Sequence, residues 1–99
     1  MKKSFPVMID KQRHLRYGLV AISMIEDELD KAITQLDLAN LRTREQAVVI
    51  WAGLYHEDKE LSPMQILEMI DEHEASYAEI MAVVGEAIGE AFDVNDEKK

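Results

Sequence analysis

The sequence predicts an α+β domain that is mainly α, with a short N-terminal β-hairpin followed by four or five packed helices. Three observations carry this. Two short, loosely alternating runs flank Asp10-Lys11; from Gly18 the apolar spacing becomes helical; and three Ser- or Thr-led quartets carry helix-start chemistry. With 99 residues, 47% of them hydrophobic, the chain fits one domain over 1–99. Its folded core is expected over 7–92, with frayed ends at 1–4 and 94–99.

The runs "PVMID" and "QRHLRY" read as the two strands of the hairpin. Pro6 has no N–H to offer a ladder, so it belongs at the start or edge of its strand. Two strands alone are marginal, so the hairpin must lean on helices. Next, "LVAISMIEDEL" is apolar nearly all round until Glu26, Asp27 and Glu28. Such a helix is either central in the core or partly covered by another chain. "KAITQLDLANL" sets Ile33 and Leu36 on one side, with Leu41 as a weaker third, and reads as a short helix and loop.

Thr43-Arg44-Glu45-Gln46 has the pattern of a capping box, in which the first and last side chains satisfy free backbone N–H groups. It opens a helix with Ala47, Ile50, Trp51 and Leu54 on one face. Ser62-Pro63-Met64-Gln65 repeats the pattern with Pro at the first helical position, and Leu61 can staple onto Ile66. Ser76-Tyr77-Ala78-Glu79 is a third box, opening a helix striped by Tyr77, Ile80, Met81, Val84, Ile88 and Ala91. Ala82, Val83 and Phe92 lie off that stripe and point to a second contact surface. A continuous helix over 63–92 would place His73 in an apolar seam, so a break near 72–76 is expected.

The chemistry-bearing residues do not assemble a site. His56-Glu57-Asp58 lacks the second His, four residues from the first, of a zinc-hydrolase helix, and consecutive side chains point apart. It reads as a solvated helix end. His73, among Asp71, Glu72 and Glu74, reads as a surface histidine. Asp93-Val94-Asn95-Asp96-Glu97 imitates the start of a calcium loop but lacks its glycine and closing Glu. Gly18, Gly53, Gly85 and Gly89 are too scattered for a phosphate cradle, although Gly85 and Gly89 could allow close helix packing. Without cysteine there is no disulfide, zinc-thiolate site or thiol nucleophile. No enzyme, cofactor or metal is expected.

A net charge of −9 argues against nucleic acid as a partner. No apolar run approaches the roughly 20 residues that cross a bilayer, and a soluble cytoplasmic protein is expected. Residues 1–16 hold Lys2, Lys3, Lys11, Arg13 and Arg16 against Asp10, a local charge of +4 that leaves −13 for the remainder. The basic head could attract the acidic body of another copy, or dock on its own. The methionines either offer an adaptable binding surface or fill the core.

"LRYGLVAISMIEDEL", "VVIWAGLYHEDKELSPMQILEMID" and "EIMAVVGEAIGEAF", in that order, resemble the tail assembly chaperones of long-tailed bacteriophages. The branch related to gene-transfer-agent tail proteins is the most similar. The likeness covers about residues 7–92 and is most specific from Trp51 to Ser62, a W-A-G-L-x-H-E-D-x-x-L-[ST] stretch. It implies a non-enzymatic protein that self-associates, binds the tape-measure protein and keeps it soluble until tail-tube protein displaces it. It also implies action in the bacterial host cytoplasm, absence from the mature virion, and a longer form made by frameshifting near Lys98-Lys99. The apolar Met24, Ile25, Ile80, Val84 and Ile88 are the candidate protein-binding residues. The alternative function is an acidic helical regulatory protein that covers a partner's basic surface.

Overall fold

The hairpin forms around a short loop that supplies its own clamp. In the computed structural model, which describes residues 4–96 and side chains as far as Ala91, β1 (Phe5–Met8) and β2 (Gln12–Leu15) pair antiparallel. Phe5 lies opposite Leu15, Pro6 opposite His14 and Met8 opposite Gln12. Asp10, in the loop, takes a two-pronged grip from Arg13, with Nε to Oδ1 at 2.7 Å and Nη2 to Oδ2 at 2.8 Å. Val7, Ile9, Leu15 and Tyr17 turn inward and are buried.

Antiparallel pairing alternates between residues that bond across the ladder and residues whose backbone groups point away. His14 is of the second kind, since its N–H and C=O both engage the chain beyond α2 rather than β1. Its partner Pro6 therefore needs no N–H in the ladder, and the expected edge placement of Pro6 is met.

α1 (Leu19–Leu29) follows at once and buries Ala21 and Ile25. A central position does not apply, since Leu19 and Val20 are 85% and 65% exposed, which leaves the alternative of partial cover by another chain. Asp30 ends the helix in the left-handed region at φ 56°, its N–H bonded to the Glu26 carbonyl. The segment expected as a short helix and loop is two single 3₁₀ turns, Ile33–Gln35 and Leu38–Asn40. Glu26 holds the first of them through the Ile33 N–H at 2.8 Å.

The central element is α2 (Thr43–Leu54), in which Ala47, Val48, Val49, Ile50, Ala52, Gly53 and Leu54 are all buried. Small residues make this possible: Ala47, Ala52 and Gly53 let neighbours come close on faces where larger side chains would hold them off. The cap differs from the expected one. Thr43 is already helical, Arg42 holds the cap position, and Glu45 accepts the Arg42 N–H at 2.9 Å. A guanidinium has no acceptor, so this is half of a box. Gln46 does other work, donating to the Leu38 carbonyl and accepting from the Tyr77 hydroxyl, which ties the second 3₁₀ turn to two helices.

At α3 (Pro63–Glu72) the box is complete. Ser62 Oγ accepts from Gln65 N at 3.2 Å, and Gln65 Oε1 accepts from Ser62 N at 2.9 Å. Ile66 is fully buried and Leu61 packs on the same core. The break between α3 and α4 (Tyr77–Asp96) falls within 72–76. Glu74 adopts φ 52°, and the N–H groups of Glu74 and Ala75 return to the carbonyls of Asp71 and Ile70. This is a Schellman ending with Glu in the place usually taken by Gly. Ser76 Oγ then accepts from Glu79 N at 3.3 Å to start α4. His73 is exposed there. α4 runs to Asp96, past the expected limit of the folded core at 92; the Phe92 side chain, Lys98-Lys99 and the basic Lys2 and Lys3 lie outside the described residues.

Packing is tight where the chain after β2 crosses α2. A Cβ on Gly53 would lie 2.6 Å from the Tyr17 ring and hydroxyl and 2.9 Å from Leu15 Cδ2. Tyr17 itself is buried, its hydroxyl donating to the Val49 carbonyl at 2.8 Å, and burial raises its ionisation far above the usual range. Gly53→Ala should therefore cost about 1–3 kcal/mol through overpacking, measured as a lower urea midpoint with an unchanged slope. An unaltered midpoint would show that the crossing is looser than described.

Candidate protein-binding surface

His56, Glu57 and Asp58 follow α2, and they do not converge on a common point. Each reaches a different atom of the hairpin. His56 Nε2 donates to the His14 carbonyl at 2.8 Å. Glu57 accepts the His14 N–H at 3.3 Å and meets its Nδ1 at 3.0 Å. Asp58 lies 3.8 Å from Arg13 Nη1. Beside them, Arg16 N donates to the Gly53 carbonyl at 2.9 Å. The triplet is the helix end expected, with Glu57 exposed and His56 and Asp58 partly so, but its side chains are also held by the hairpin. These side chains cover the outer edge of β2, which would otherwise present unpaired backbone groups. Among the described residues no group of three or more His, Cys, Asp or Glu is placed to hold a metal ion.

Arg13, 6% exposed, is the charged centre of the clamp. Its hydrogen bonds hold the Asp10 carboxyl at a pKa of about 2, well below the ordinary 3.8. Arg13 thus pairs chiefly inside the basic head, with Asp10, and approaches the acidic remainder at Asp58.

The candidate binding residues separate into two groups. Ile25, Ile80 and Val84 are 0%, 1% and 0% exposed, so they hold the core and offer a partner no surface in this fold. A helical stripe carries no sign of whether it faces its own domain or another chain. Met24 and Ile88 are partly buried. Ile88 borders an open groove between the 3₁₀ turns and α4, lined mainly by Ile33, Leu36, Leu38 and Ile88, with Gly85 and Gly89 opposite. Nothing stands within 4 Å of a Cβ built on either glycine, so no other helix of this chain packs against them and the groove stays open. Asp37 sits in its wall, accepting from Asn40 Nδ2 at 2.7 Å.

A second surface lies at the start of α1, the helix whose composition allowed partial cover by another chain. Leu19 and Val20 protrude from the start of α1 beside a shallow depression shared with Arg16 and Tyr55. Lys59 caps the Tyr55 ring at 5.3 Å from its centroid. The signal available was Gly18 directly before two aliphatic residues, but nothing in the spacing says that both lie outside. Met8 and Met64 are exposed as well, whereas Met24, Met69 and Met81 pack against the core.

No helix among the described residues is long and apolar enough to cross a membrane. Compared with protein-family models, curated proteins and solved structures, the chain matches none.

Stability should fall as the pH drops from 3.8 toward about 2, because a carboxyl with a lowered pKa stabilises above its unfolded value and loses that effect on protonation. Partial exposure of the pair limits the loss to about 1 kcal/mol. Asp10→Asn should remove this part of the acid profile in denaturant titrations at several pH values; an unchanged profile would assign the dependence elsewhere.

Proposed function

We propose that this protein is a tail assembly chaperone of a long-tailed bacteriophage. It self-associates and binds apolar helices of the tape-measure protein until tail-tube protein displaces it, working in the host cytoplasm and leaving the finished virion. The role is non-enzymatic. The observation that supports a chaperone is the open apolar groove beside Ile88 on an otherwise acidic helical domain. An amphipathic helix laid into such a groove would bury its apolar face there, while the acidic exterior keeps the complex in solution. The likeness of Trp51 to Ser62 directs this general capacity to phage tails.

A second reading has one observation in its favour. Glu68, Asp71, Glu72, Glu74, Glu79 and Glu86 are all exposed along α3 and α4. That surface suits a regulatory protein that covers a partner's basic face, with affinity falling steeply as salt rises.

Co-expression with the tape-measure protein separates the two. The chaperone reading expects a soluble complex that survives high salt, and Ala39→Glu, at an exposed position in the groove, to lower the yield of complex at least roughly tenfold. A tape-measure protein left insoluble would overturn it. Capture of a basic partner that salt releases would support the regulatory reading instead.

A further inference from the structure

We propose that the protruding Leu19–Val20 corner of one copy occupies the Ile88 groove of the next, so that the free protein associates head to tail. The two surfaces have matching character. The corner protrudes and is aliphatic; Arg16 lines the depression beside it and Lys59 stands over the Tyr55 ring there, and neither cation makes an ion pair among the described residues. The groove is concave and aliphatic, with the carboxylate of Asp37 in its wall. Its volume of about 360 Å³ has room for a pair of aliphatic side chains.

Their placement prevents one copy from satisfying itself. Leu19 and Val20 open α1, whereas Ile33 and Leu36 come after its end. An 11-residue helix is about 16 Å long, so corner and groove lie at opposite ends of the same rod. A contact between two different surfaces on one chain is heterologous, and repetition gives an open chain or a ring rather than a closed dimer. The contact occupies the groove that a partner helix would enter, so bound partner displaces the neighbouring copy; that consequence alone rests on the function proposed above.

The purified protein alone provides the test. Sedimentation velocity over a concentration series should show the wild type growing past a dimer, with weaker association at higher salt. Leu19→Glu removes the corner at an 85%-exposed position, and Gly89→Glu fills the groove where a Cβ meets open space. Circular dichroism should find both folded, and each alone should weaken association at least tenfold. Mixed in equal amounts, they should form a dimer that grows no further, because one intact corner meets one intact groove. A wild type that stays monomeric at millimolar concentration would overturn the proposal. So would a dimer that neither variant disturbs, or one that the mixture fails to restore. No tape-measure protein is involved, so the result stands apart from the partner assignment.

Discussion

The approach of β2 and Tyr17 to the backbone of α2 at Gly53 is the constraint on which the fold depends. A two-stranded hairpin lacks the area to stand alone, and here α4 packs on β1 while the end of α2 supports β2. Leu15 and Tyr17 lie against the bare glycine. The Tyr17 hydroxyl reaches the Val49 carbonyl, and the Gly53 carbonyl accepts from Arg16. The residues immediately after the helix then complete the edge of β2. Remove the close approach and His56, Glu57 and Asp58 would no longer reach their partners. One stretch of sequence thus sets a tertiary crossing, an edge cover and a corner into α3.

Central burial of α2 follows from that arrangement. The hairpin covers one side, α1 and α3 pack on others, and α4 lies over β1. Beyond the exposed Met8 and Met64, what remains uncovered includes the protruding aliphatic pair at the start of α1 and the open groove beside the 3₁₀ turns that follow it. Both are built from segments that the core holds from one side only. The functional proposals rest on this division between a helix fully used internally and surfaces left over at the periphery.

Much of the architecture was legible from the residues. Strand alternation, the Ser62 box with Pro63, and the change of period at Gly18 each translate local chemistry into one structure with little competition. Other features depend on distant partners. Thr43 looked like a cap, but Glu45 reaches Arg42 and Gln46 is drawn to Leu38 and Tyr77. The break after Glu72 lacked a glycine, because Glu74 accepts the left-handed conformation that the return bonds require. For the candidate surface, only Ile88 and Met24 retain partial exposure. The groove depends on 3₁₀ turns that periodicity does not reveal, and Ile25, Ile80 and Val84 could not be told from surface residues by spacing alone. His56-Glu57-Asp58 was legible as a triplet that cannot converge, but not as a clamp, because its partners lie more than forty residues away.

Native-state hydrogen exchange at the amides of His14 and Arg16 tests the clamp most directly. His14 points off the outer edge of β2 and Arg16 follows directly after the strand, where amides left unpaired would exchange quickly. If the crossing at Gly53 and the side chains after α2 hold the hairpin, both should be protected, with Arg16 close to the level of the α2 interior. Exchange of Arg16 at the rate of an unstructured chain, while α2 remains protected, would contradict it.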